Sequence, residues 1–417
     1  MQTPPAPPRP ILIASGIGAA AQFLFALNLT RPSTVVFDET HYVPAARVLM
    51  KLAYPTNTEH PLLGKALIAT GMTLFGDNAL GWRIMSTIAA TAVVIGVFAI
   101  LWMLFQRTRT AVFGALFVIL NFTVFIQARI GMLDGFMAAF VILAIVALLR
   151  AMRSPPGKVM RRWILGSMLL GLAVATKWAA APFVAYAAIA FLVMRRRDAA
   201  AWPGLRPIPA LLILGGVSIA TYFLTFAPAF FYAEEPMTLG RLIPFQLHMY
   251  AQQTQALPSH PYQSSWWSWP LMIRPIWYLY EKVDGAVRGI LLLGNPAIMW
   301  GGLVAVAACL VIGIRERSIK FFGVAALWLG AYLIWAIIPK SLGFFYYYYL
   351  PSIFLCIALA ALIDHRHGKW RHWGLSWDWA YLALVTLLFV MFYPIISAAA
   401  LPNDQAFLHW MWLSSWP

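Results

Sequence analysis

Residues 78–109 read NALGWRIMSTIAATAVVIGVFAILWMLFQRTR, with Arg83 near one end, Arg107 and Arg109 at the other, and no charged residue from Ile84 to Gln106. A helix needs about 20 apolar residues to cross a bilayer core, and this run is long enough. It lacks the apolar/polar alternation of a barrel strand. Each unsatisfied backbone group in hydrocarbon costs several kcal/mol, so the run reads as one transmembrane helix.

The same pattern recurs on both sides of it. Further apolar stretches at about 11–29, 110–128, 131–149, 163–177, 178–194, 208–231, 288–314, 319–338, 343–363 and 379–399 bring the expected spans to about eleven. Of the 417 residues, 62% are hydrophobic and 11% charged, against roughly 25% charged in soluble domains, which excludes a water-soluble protein. The 28 Gly and 28 Pro are ordinary shares, so collagen-like and low-complexity chains are excluded too. The expectation is an all-α polytopic membrane protein forming a single domain over 1–417. It comprises a first outer loop at 30–81, a second at 232–287 and a C-terminal four-helix membrane part at 288–399.

Basic residues set the expected orientation. With the N-terminus in the cytoplasm, Arg9, Arg107, Arg109, Arg150, Arg153, Lys158, Arg161, Arg162, Arg195, Arg196, Arg197, Arg206, Arg315, Arg317, Lys320, Arg366, Lys369 and Arg371 share that side with only four acids, Asp198, Glu316, Asp364 and Asp378. The two sides then carry net charges near +14 and +2, as the positive-inside rule requires. Bases that bracket apolar runs explain the formal charge of +16 without nucleic acid. The Pro-rich leader Met1–Pro10 carries one Arg and lacks the charged start of a cleaved signal, so the first run is expected to be retained. Cys309 and Cys356 both lie in apolar runs, which leaves no material for a disulfide framework.

The two outer loops exceed the usual connector length, and loops of that size tend to carry function. Both are rich in aromatic residues suited to amphipathic helices at the interface. The first holds VVFDETHY, where Asp38 and Glu39 stand together ahead of His41 and Tyr42. Adjacent carboxylates repel unless cations answer them or one takes a proton, which is one way to tune a base near neutral pH; a solvated loop end is the plainer reading. EHPLLGK follows with His60 and Lys65, and GWR places Arg83 where it either snorkels or forks onto a phosphate. QARIGMLDG sets Arg129 and Asp134 at the junction of the third and fourth spans, and Lys177 in ATKW marks a turn between two spans. Asp134 suits a helix N-terminus and Lys177 a lipid phosphate. In the second loop His260 lies in HPYQSSWWSWP and Arg274 between aromatic residues, and Tyr346 to Tyr349 open a later span. An aromatic belt and contacts to a head group or sugar both account for these. His41, His60, His248 and His260 match no ligand spacing for a metal. Phosphate-loop, dinucleotide, zincin and serine-hydrolase motifs are absent.

Taken in order, FDETHY, HPLLGK, GWR, RIGMLDG, ATKW, HPYQSSWWSWPLMIRPI, LGNP and YYYYLPS, spanning about residues 35 to 352, resemble the protein O-mannosyltransferase family. A second loop of about 55 residues leaves no room for the β-trefoil insert of the eukaryotic enzymes, so the resemblance is to the bacterial branch. It implies a C-type glycosyltransferase architecture in a bacterial inner membrane, with the N-terminus cytoplasmic and the active site extracytoplasmic. The donor it implies is a polyprenyl-phosphate sugar, usually mannose. The acceptors it implies are Ser and Thr hydroxyls of translocated proteins, and no metal cofactor is obligatory. Asp38 matches the family's catalytic aspartate, Glu39 its partner, and Arg83 the arginine that holds the acidic pair or stabilises the phosphate. His60 and Lys65 match the family's HPPLGK segment. His41, Arg129, Asp134, Lys177, His260, Arg274 and Tyr347 are the further substrate-binding candidates. Two departures stand out: HPLLGK has one proline where two are usual, and YYYYLPS replaces paired histidines. A transferase that decorates a lipid, of the aminoarabinose type, shares the acidic pair but not the HPYxSxxWxWP segment. A polyprenyl-lipid transporter would place charges near the bilayer midplane.

Overall fold

The computed structural model describes residues 9–152, 154–366, 371–372 and 375–417. The first eight residues of the leader, Arg153, Lys369 and the side chain of Arg371 lie outside the described residues. The helices are α1 (Pro10–Ala26), α2 (Glu39–Met50), α3 (Leu63–Phe75), α4 (Ala79–Phe105), α5 (Thr108–Ile119), α6 (Phe122–Ala128), α7 (Leu133–Ala151) and α8 (Pro156–Thr176). They continue as α9 (Ala181–Arg197), α10 (Pro207–Leu224), α11 (Leu239–Thr254), α12 (Pro296–Arg315), α13 (Ile319–Leu333), α14 (Tyr349–Arg366) and α15 (Trp377–Ile396). Among the described residues nine helical segments are long and apolar enough to cross a membrane, so the chain is a multi-span membrane protein.

The other two expected spans take different forms. The stretch 110–128 is a bent pair, with α5 and α6 meeting at 62°. The stretch 11–29 is the 17-residue α1, about 25 Å long at 1.5 Å per residue. A break inside a membrane frees backbone groups that must find partners within the protein. Asn121 caps α6 by accepting from Thr123 N at 3.2 Å, and donates to Ser352 Oγ at 3.0 Å. Asn295 Nδ2 donates to the carbonyls of Leu120 at 3.2 Å and Val385 at 3.0 Å. Asn295→Ala removes this donor from both carbonyls and is expected to cost about 1–3 kcal/mol, read as a lower Tm in detergent. An unchanged Tm would remove Asn295 from this role.

The bundle is organised around α14, whose apolar window is 89% buried, whereas the window of Trp178–Arg197 is 17% buried and lies at the periphery. Its sequence explains this, because from Tyr349 to Ala361 every residue is apolar, small or hydrogen-bonded inward through Ser352. α12, α13 and α5 pack against it, while α7 joins α8 and α4 on its other flank.

Amphipathic helices occupy both large loops, as expected: α2 and α3 in the first, α11 in the second. The second loop also contains an antiparallel hairpin, β1 (Ile276–Val283) and β2 (Ala286–Leu292), extended by a two-residue strand at Ala400–Leu401. The span expected at 288–314 therefore begins at Pro296. Asp284 and Gly285 take φ of +52° and +75°, the two-residue turn that Asp-Gly favours. Residues 288–292 are mostly apolar, and a short apolar run does not separate a strand from a helix by composition. The hairpin tip ties the two loops together. Asp284 accepts from Ser33 N at 3.0 Å and Ser33 Oγ at 2.6 Å, and pairs with Arg31 at 3.2 Å.

Candidate active site

The segment between α1 and α2 is held from beneath by a closed ion pair. Glu39 is fully buried. Its Oε1 accepts from Arg83 Nε at 2.8 Å and Gly131 N at 2.7 Å, and its Oε2 from Arg83 Nη2 at 2.8 Å and Val36 N at 2.8 Å. Arg83 also donates to the carbonyls of Leu29 at 3.2 Å, Pro32 at 2.7 Å and Thr34 at 2.7 Å. All five N–H groups of its guanidinium are engaged, with the planar fork on the carboxylate. Of the two roles weighed for Arg83, the geometry supports holding the acidic pair, because no N–H remains to meet a phosphate.

Asp38 stands at the opposite pole of the dipeptide, half-buried at the start of α2. Phe37 precedes it with φ of +50°, a conformation uncommon for a bulky residue. Its ring is stacked on Tyr278 of β1 at 4.1 Å and meets the edge of Tyr346 at 6.0 Å. The hairpin that the spans concealed thus braces the turn that aims Asp38. Tyr42, one helical turn on, donates to Asp38 Oδ2 at 3.4 Å. Burial pushes the Asp38 carboxyl up to about 6, with nearby Asp134 adding to the rise and Lys177 opposing it.

Helix ends deliver the next pair. Asp134 lies in the first turn of α7 and Lys177 caps the end of α8, where the helix dipoles favour an acid and a base respectively. Lys177 Nζ donates to Asp134 Oδ1 at 2.9 Å and Oδ2 at 2.8 Å, with both side chains buried. The same ammonium lies 5.1 Å from the ring centres of Tyr346 and of Tyr347, a cation–π arrangement. His60 completes this side, its Nδ1 3.0 Å from Gln253 Nε2 and its ring edge-on to Tyr42 at 6.0 Å. Burial, with Lys177, Lys65 and Lys340 nearby, holds the His60 imidazolium well below its ordinary range, so the ring is neutral.

Five of the sequence candidates therefore form one cluster: Asp38, His60, Asp134, Lys177 and Tyr347. Most of the others are engaged elsewhere, whereas His41 lies close enough to act on the Asp38 carboxyl. Lys65 is buried and donates to the carbonyls of Asn57 and of His60, the latter at 2.9 Å, so it orders the first loop. Arg129 donates to the carbonyls of Phe25, at 2.9 Å, and of Leu27, which closes the C-terminal end of α1. Arg274 spends its guanidinium on the carbonyls of Pro261 at 2.8 Å and Ser415 at 3.4 Å, tying the second loop to the C-terminal tail. His41 is exposed on α2. His260 accepts from Tyr262 N at 3.1 Å and packs on Phe344 at 5.3 Å, away from Asp38's own contacts. Lys65, Arg129 and Arg274 thus donate to backbone carbonyls, which supports a structural reading of these three beside the substrate-binding expectation. Tyr278 and Lys340 were not singled out from the sequence. The Asp-Gly turn was the available signal for Tyr278, and Lys340 has none beyond its place ahead of the tyrosines. Among the described residues no three His, Cys, Asp or Glu side chains are grouped as a metal site needs.

This geometry can be set beside known proteins. Residues 59–224 match the family described as dolichyl-phosphate-mannose-protein mannosyltransferase, and residues 238–416 the C-terminal four TMM region of protein-O-mannosyltransferase. The polyprenol-phosphate-mannose–protein mannosyltransferase of Mycobacterium tuberculosis is 29% identical over 96% of this chain and 90% of its own length. That of Corynebacterium glutamicum is 26% identical over 99% and 96%. In fold, the chain is similar to the S. cerevisiae protein O-mannosyltransferase Pmt1–Pmt2 complex bound to the sugar donor, with a TM-score of 0.84 and 13% identity over 99% of this chain and 93% of that one. ArnT from Cupriavidus metallidurans bound to undecaprenyl phosphate superposes less closely, with a TM-score of 0.62 at 14% identity over 95% and 67%. With two family matches that between them cover residues 59–224 and 238–416, and with relatives aligned over nearly the whole of both chains, this chain belongs to the protein O-mannosyltransferase family of glycosyltransferases.

Proposed function

We propose that this protein transfers mannose from a polyprenyl-phosphate carrier to Ser or Thr hydroxyls of proteins, on the extracytoplasmic side of a bacterial inner membrane. The observation that carries the reading is Asp38: a half-buried carboxyl tuned to about 6, fixed between a locked Glu39–Arg83 base and a Lys177–Asp134 pair. Ionised Asp38 takes the proton of the acceptor hydroxyl as its oxygen bonds to the anomeric carbon. The bond from that carbon to the phosphate oxygen breaks on the opposite face, the sugar inverts, and polyprenyl phosphate leaves with the electron pair. Lys177, oriented by Asp134, faces the charge that grows on the leaving phosphate. The orientation follows from the charge asymmetry of the sequence, since this cluster belongs to the side of few bases. The donor and protein acceptor named for the relatives fit the same chemistry.

The test is transfer in membranes from polyprenyl-phosphate-mannose to a Ser/Thr peptide, with the product read by mass spectrometry and the rate followed against pH. One hexose on the hydroxyl is expected. A carboxyl raised to about 6 is protonated below that pH and cannot act as a base. kcat/KM is therefore expected to fall about tenfold per pH unit below about 6 and to level off above it. A rate that stays flat down to pH 4.5 would remove Asp38 as the base, and sugar appearing on a lipid instead of the peptide would overturn the acceptor.

A further inference from the structure

The loop that leads into α14 brings to this cluster one cation that the motifs do not account for. Lys340 Nζ lies 5.9 Å from the centre of the Tyr347 ring, whose neighbours include Lys177 Nζ at 5.1 Å and the stacked ring of Trp335 at 4.3 Å. Two ammonium groups thus share one tyrosine. Their situations differ. Lys177 is neutralised by both oxygens of Asp134. Among the described residues the side chain of Lys340 has no hydrogen bond and no ion pair, although it is partly buried. A desolvated, unpaired ammonium is costly unless an anion comes to it.

Besides burial, the same central pair of charges acts on both Asp38 and Lys340. Asp38 is governed by Lys177, Asp134 and His41, and Lys340 by Lys177, Asp134 and Glu59. Both therefore stand near the Lys177–Asp134 pair, Lys340 across the Tyr347 ring from Lys177. An inverting displacement needs a base at the attacking oxygen and a cation at the leaving oxygen, across the anomeric carbon.

We propose that Lys340 is a second phosphate-binding residue, which together with Lys177 clamps the phosphate of the polyprenyl donor over the Tyr347 ring and supplies the net positive charge that the Asp134-paired Lys177 lacks. The proposal rests on the transferase reading above. Burial, with Lys177 second, pulls the Lys340 ammonium down to about 8, opposed by Asp134 and Glu59; a bound phosphate would raise it again. The surrounding groups agree: neutral His60 faces this side, and Glu59 is held by Asn57 Nδ2 at 2.9 Å.

The test uses the purified full-length protein in nanodiscs with two probes, a polyprenyl phosphate without sugar and the uncharged polyprenol of the same length. Lys340→Gln is expected to weaken binding of the phosphate about tenfold and leave polyprenol binding unchanged. Lys340→Arg, which keeps the charge, is expected to recover most of the affinity. Wild-type affinity for the phosphate in Lys340→Gln overturns the assignment. So does an equal loss for both probes, which marks a packing defect instead of a lost charge contact. Failure of the wild-type protein to bind the phosphate at all, together with absence of sugar transfer, overturns the transferase reading and this assignment with it.

Discussion

Asp38→Asn is expected to lower kcat by about 10²- to 10⁴-fold, the usual worth of a positioned general base, while leaving donor binding and thermal stability close to wild type. The replacement is isosteric and keeps an oxygen for the Tyr42 hydroxyl, which donates to Oδ2 at 3.4 Å. The stack of Phe37 on Tyr278 that aims the residue is untouched. What disappears is the ability to take the acceptor's proton. Because the carboxyl is raised to about 6 mainly by burial, the amide also relieves a desolvated charge, so the folded state should lose nothing. Single-turnover transfer and polyprenyl phosphate binding, measured on one preparation, separate the two effects. Undiminished turnover in a well-folded Asp38→Asn protein would overturn the mechanism.

Arg83→Met should fail in a different way. Removing the guanidinium leaves Glu39, fully buried, with only the N–H groups of Val36 and Gly131. It also removes the donor shared by the carbonyls of Leu29, Pro32 and Thr34. Breaking a buried pair from one side costs about 3–5 kcal/mol, so the variant should be strongly destabilised and inactive for that reason. Arg83→Lys should not rescue it, because an ammonium cannot reproduce the fork on Glu39. Glu39→Met combined with Arg83→Met should recover much of the lost stability, since no uncompensated charge remains. A fully stable Arg83→Met protein with a slow chemical step would instead place Arg83 on the phosphate.

How far the sequence reaches can be judged residue by residue. The pairing of Asp38 with Glu39 was legible as a unit, but the division of labour within it was not. Two adjacent residues on a helix start point in different directions. Only the positions of Arg83, 44 residues on, and Gly131, 92 residues on, decide which carboxylate is consumed. Lys177 and Asp134 were each legible as helix-end charges; their meeting depends on the packing of α7 against α8. Lys65, Arg129 and Arg274 resemble binding residues in sequence because a cation beside a membrane interface is equally suited to a phosphate or a row of carbonyls. The hairpin was hidden for another reason, since an apolar strand followed by an apolar helix makes one continuous hydrophobic run. Its Asp284-Gly285 turn was the visible signal.

The sequence by itself determined the membrane class, the positions of most spans, the side on which bases gather and the order of motifs that marks the family. Each of these is a local property, because an apolar run in hydrocarbon has no choice but to close its own hydrogen bonds. The tertiary structure alone decided which charged groups gather around Asp38 and which donate to backbone carbonyls. That choice belongs to contacts between distant segments, where a desolvated charge takes whatever partner the packing brings within about 3 Å.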